Sequence, residues 1–66
     1  MKIRINGDEQ EVPDGLNVRA MLDHLGMNGT RVAIERNLEI LPRTDWTGTQ
    51  VQNNDSFEIV HFVGGG

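Results

Sequence analysis

Phe57-Glu58-Ile59-Val60-His61-Phe62-Val63 is the strongest strand signal in the chain, and the architecture can be built back from it. Successive side chains of a strand point to opposite faces. Glu58 belongs in water, so parity puts Phe57, Ile59 and His61 on the inner face and Glu58, Val60 and Phe62 on the outer one. His61 is expected as a satisfied residue at the edge of the core. A metal or acid–base role is not assigned to it, because no second ligand or base stands at a suitable spacing. The outer set places two large apolar side chains, Val60 and Phe62, beside a charge. Exposed apolar side chains in company mark a docking surface, which makes Val60 and Phe62 the candidate partner contacts. The competing expectation is that a bulge or a neighbouring loop covers Phe62.

Ahead of this strand, Asn53-Asn54-Asp55 is a turn cluster, since short polar side chains hydrogen-bond their own backbone and tolerate left-handed angles. Asp55 reads as an ordinary turn or surface acid, as do Asp8, Glu9, Asp14 and Asp23. A short strand is expected about Thr49 to Val51. The polar connection from Arg43 to Gly48 holds the only tryptophan, Trp46, expected to cap one end of a small core. Arg31 to Arg36 reads as a strand with Val32 and Ile34 inward, and Glu39-Ile40-Leu41 as a shorter one stopped by Pro42, which has no N–H for a ladder.

Further back, the apolar period lengthens to that of a helix, with Val18, Met21, Leu22 and Leu25 on one stripe. Asn17 is the expected N-cap, Leu16 a staple onto Met21, and Gly26 the C′ residue that ends the helix after about two and a half turns. A helix so short must pack on something to persist. His24 falls on its polar side. At the amino end, Met1, Ile3 and Ile5 alternate with Lys2, Arg4 and Asn6, and Asn6-Gly7 supplies the positive φ angles of a two-residue type I′ hairpin. That register sets Ile3 opposite Gln10 and Met1 opposite Val12, with a return strand from Asp8 to Val12 ended by Pro13-Asp14-Gly15. A helix laid on one face of a mixed sheet buries these stripes with the fewest elements. The resulting order, β-β-α-β-β, is that of an α+β, ubiquitin-like β-grasp domain over residues 1–63, with 64–66 as a flexible glycine tail.

Composition narrows the function. The chain has 66 residues, 36% hydrophobic and 24% charged, with a net charge of −4 and no cysteine. A domain of this size has little interior from which to carve a pocket, so function is expected on its surface or at an end. The acidic balance argues against a partner made of nucleic acid. Without cysteine there is no thiol nucleophile and no thiolate metal site. No signal peptide or apolar run of membrane-spanning length is present, which points to the cytoplasm.

Gly64-Gly65-Gly66 follows the last strand directly. Extended, these residues make a thread about 10 Å long that can enter a slot too narrow for any side chain. Read as the chain terminus, Gly66 ends in a carboxylate, a poor electrophile until a leaving group such as AMP is attached. That step needs a phosphate site and a metal, and the sequence has neither a Gly-rich loop followed by Lys-Ser/Thr nor a ligand cluster. ATP and its metal therefore belong to a partner, and this chain binds no cofactor of its own.

Several segments together resemble the ThiS/MoaD family of ubiquitin-like sulfur carriers, in particular its thiamin-pathway branch: Asn6-Gly7, Met21-Leu22, Val32-Ala33-Ile34-Glu35-Arg36-Asn37, Pro42-Arg43-Thr44-Asp45-Trp46 and Glu58-Ile59-Val60-His61-Phe62-Val63-Gly64-Gly65-Gly66. The likeness spans essentially the whole chain. It departs at Asn54, where relatives usually have glycine before Asp55, although asparagine also accepts a left-handed backbone. The resemblance implies that a ThiF-like adenylyltransferase joins the Gly66 carboxylate to AMP. Sulfur from a persulfide donor of the cysteine desulfurase system then displaces AMP, and the thiocarboxylate donates its sulfur to a ThiG-like thiazole synthase. It further implies a protein co-substrate, not an enzyme, monomeric when free, with Gly65 and Gly64 threading the tail into its partners and no catalytic or metal residue of its own. Two alternatives stay open at this point: a MoaD-like carrier for molybdopterin synthesis, and a non-covalent β-grasp adaptor for which the glycines are dispensable. Isopeptide tagging through the carrier itself has one anchor, Lys2.

Overall fold

The computed structural model describes residues 1–27 and 31–62. In chain order the elements are β1 (Lys2–Ile5), β2 (Asp8–Glu11), α1 (Val18–His24), β3 (Val32–Arg36), β4 (Glu39–Leu41), a 3-10 turn (Arg43–Asp45) and β5 (Ser56–His61). The strands form one sheet in the order β2-β1-β5-β3-β4, with β1 parallel to β5 and the other neighbours antiparallel. This is the β-grasp arrangement expected from the order of elements.

Local chemistry explains each boundary. Asn6 and Gly7 take φ angles of 50° and 88°, so β1 folds back on β2 with Ile3 opposite Gln10 as predicted. The return strand ends one residue early, at Glu11, yet Val12 N still donates to Met1 O at 2.9 Å. The side chain of Asn17 accepts from Ala20 N at 2.8 Å and caps α1. At the other end Gly26, φ +75°, donates to Asp23 O at 3.1 Å while Met27 N donates to Leu22 O at 2.9 Å. That pair of bonds is a Schellman motif, which satisfies carbonyls the helix would otherwise leave open. Val18, Met21 and Leu22 of α1 then bury against Ile3, Ile5, Ile34, Phe57 and Ile59 of the sheet, with Leu25 partly buried beside them. Trp46 closes one end of this core, 3% exposed, its indole N–H donating to Leu41 O at 3.1 Å.

Three expectations need correction. Thr49 to Val51 is not a strand: Val18 N donates to Thr49 O and Val51 N to Leu16 O, but only the Asn17–Gln50 bridge forms, because the neighbouring chain turns into α1 at Val18. His61 is exposed, not a boundary residue; the buried inner row on β5 stops at Ile59, and His61 is the last residue of the strand. Asp55 is no surface acid but is 5% exposed. Its carboxylate accepts from Arg36 Nε at 3.0 Å, Asn37 Nδ2 at 3.1 Å and Gln52 N at 2.8 Å, the donors a buried charge requires.

That network also holds the β3–β4 turn, which the sequence did not flag. Asn37 and Leu38 both have positive φ, 50° and 71°, and a leucine in that region costs about 1–2 kcal/mol. Asn37 is fixed there by bonds on three sides: its N–H to Ser56 O at 2.8 Å, its Nδ2 to Asp55, and its Oδ1 accepting from Ser56 N at 3.0 Å.

Candidate functional site

β5 lies between β1 and β3, so its outward residues stand in the middle of the sheet face that α1 leaves open. Its pairing with β3 runs without a break from Val32↔His61 to Arg36↔Phe57, and Phe62 N continues it by donating to Arg31 O at 3.0 Å. An unbroken register keeps alternate residues on opposite sides. Phe57 and Ile59 are therefore buried, while Val60 is 60% and Phe62 56% exposed. Among the described residues, neither a bulge nor a loop covers Phe62.

On the β1 side, the side chain of Asn6 extends the parallel pairing past the end of the strand. Its Oδ1 accepts from Ile59 N at 2.7 Å and its Nδ2 donates to Ile59 O at 3.1 Å, which fixes the backbone immediately before Val60. The face is thus presented from a strand bonded on both edges. Val63, Gly64, Gly65 and Gly66 lie outside the described residues.

Cross-strand pairing adds residues that local pattern reading missed. Ala33 stands opposite Val60, Glu35 opposite Glu58, and Ile40 of β4 opposite Glu35. Ile40 is 79% exposed; the signal for it was available, since an inward Leu41 forces its neighbour outward. Leu38, 90% exposed, sits at the adjoining turn. The β1–β2 half of the molecule is polar instead: Glu9 lies 3.9 Å from Lys2 and 3.8 Å from Arg4, beside a shallow groove of about 280 Å³ lined by these residues with Ile3 and Asn54. Exposed pairs of that kind contribute little to stability. No His, Asp and Glu group suited to a metal ion occurs among the described residues, and none of their helices is long and apolar enough to cross a membrane.

The sequence matches the ThiS family model over residues 3–66. The chain belongs to the ThiS family. It is 36% identical to the thiamine biosynthesis protein (ThiS) of Geobacter metallireducens over 100% of both chains, and the two structures agree with a TM-score of 0.83. It is also 44% identical over 66 residues to a thiazole synthase of Paramagnetospirillum magneticum, covering 100% of this chain and 20% of that protein. A thiazole synthase of Magnetococcus marinus gives 36% identity with the same coverage. The chain therefore spans only a fifth of the length of these two relatives.

Proposed function

We propose that this chain is a sulfur carrier of thiamin biosynthesis, a protein co-substrate whose reactive group is the carboxylate of Gly66. The observation that carries the reading is that the family match runs through residue 66 and so includes the glycine tail. The carboxylate attacks the α-phosphorus of ATP on a ThiF-like adenylyltransferase, and pyrophosphate leaves. The outer sulfur of a persulfide then attacks the acyl carbon and AMP leaves; a thiol takes up the inner sulfur as a disulfide and frees the thiocarboxylate. A ThiG-like thiazole synthase accepts that sulfur. The two thiazole synthases of which a fifth resembles this chain support this last step.

Each part of the chain has a task in this scheme. Gly65 and Gly64 thread the tail because a backbone without Cβ passes where side chains cannot. Val60 and Phe62 dock the body, and docking makes attack on the tail effectively intramolecular. Whole-protein mass spectrometry tests the reading. After incubation with ATP, the adenylating enzyme and a persulfide source, the mass should rise by the difference between one sulfur and one oxygen. Deleting Gly66 should abolish the gain and leave the fold intact. An unchanged mass, with partners shown to be active on another carrier, would overturn the proposal.

A further inference from the structure

Glu35 and Glu58 face one another directly across β3 and β5 on the open side of the sheet, both exposed. Like charges placed directly opposite destabilise a sheet, and a nearby cation ordinarily offsets the repulsion. Among the described residues neither carboxylate is in an ion pair. Arg4 on β1 stands opposite Ser56 and so diagonal to Glu58, but its guanidinium lies 3.8 Å from Glu9, and Lys2 lies 3.9 Å from the same residue. Arg36 follows Glu35 on β3 but has inward parity, with its Nε 3.0 Å from Asp55. Apolar residues stand on two sides of the pair, Ile40 opposite Glu35 and, along the strands, Val60 opposite Ala33 with Phe62 beyond it; Arg4, opposite Ser56, and Arg31, whose carbonyl accepts from Phe62 N, lie farther out on the same face.

We propose that this part of the open face docks the enzyme that activates the tail, and that the enzyme sets an arginine side chain between Glu35 and Glu58, ringed by apolar contacts to Ile40, Val60 and Phe62. The inference rests on the carrier reading above. Charge complementarity selects the occupant. A planar guanidinium can bond two carboxylates at once, and arginine surrounded by apolar area is what binding hot spots favour. A second copy of this chain meeting face to face would add two more carboxylates to the two already there. Position restricts the occupant to an enzyme that acts on the tail: Gly66 is four residues beyond Phe62, a span of about 13 Å fully extended, so such an enzyme must come within that reach of Phe62, and the activating enzyme is the first to meet the free carboxylate.

Steady-state adenylation, followed by ATP–pyrophosphate exchange with the activating enzyme, tests this with Glu35→Gln, Glu58→Gln and the double variant. Each single change should raise KM for the carrier roughly tenfold with kcat kept, in line with loss of a charge-assisted bond. Rising salt should raise the wild-type KM and leave that of the double variant nearly flat. Thermal melting supplies the readout that a merely structural role would not reproduce: the double variant should melt at the same temperature or higher, because repulsion has been removed. Wild-type-like KM values in all three variants, with wild type itself adenylated, would overturn this inference and leave the carrier reading standing. Failure of the wild type to be adenylated would overturn the carrier reading itself, and this inference with it. A lower melting temperature with KM unchanged would assign the pair to the fold and also reject the proposal.

Discussion

β5 carries two phenylalanine-bearing rows with opposite fates. Phe57 and Ile59 are 0% and 4% exposed, whereas Val60 and, one residue past the strand, Phe62 are 60% and 56% exposed. The same side-chain types thus meet two environments separated only by parity. The inner row packs the sheet against α1; the outer row is left exposed on the open face. In a domain of this size the separation matters, since no surface can be spared for function unless the other side of the sheet supplies nearly all the stability.

Substitutions can break that contrast. The largest effect is expected for Phe57→Ala, where the cavity should cost about 3–5 kcal/mol. Against a total stability on the order of 5–15 kcal/mol, most of the fold's margin would go, visible as a collapse of the urea midpoint. Next comes Asp55→Ala, which removes the acceptor of three hydrogen bonds and should cost about 2–3 kcal/mol in the same titration. A loss below about 0.5 kcal/mol, the range of ordinary surface changes, would return Asp55 to the status of a surface acid. The smallest change in stability is expected for Phe62→Ala, within about 0.5 kcal/mol. Its KM in carrier adenylation should nevertheless rise roughly fivefold or more, as for a binding hot spot. Unfolding of that variant would show the two rows to be one core.

What could be read from the sequence was whatever local pattern encodes. Asn6-Gly7, the Asn17 cap, the Gly26 stop and the alternation from Phe57 to Val60 depend on residues close together in the chain, and the structure places them as expected, the alternation failing only at His61. The candidate docking residues Val60 and Phe62 came from that same alternation, and their exposure is a fact of the fold. Features that depend on partners distant in sequence were not legible. Asp55 looks like any turn acid until Arg36 and Asn37, 19 and 18 residues away, are brought to it. The confrontation of Glu35 with Glu58 exists only once the β3–β5 register is set. The Asn37-Leu38 turn escaped notice because leucine is a poor candidate for a positive φ, and only the bonds around Asn37 hold it there.

The order of strands in the sheet carries a consequence for how the molecule is made. Among the described residues β5 is the last strand in sequence, yet it occupies the middle position and alone joins the β1–β2 and β3–β4 hairpins within the sheet. A growing polypeptide emerges from its amino end, so the two hairpins are made before the strand that joins them in the sheet. Nascent fragments that lack β5 therefore cannot display the assembled open face.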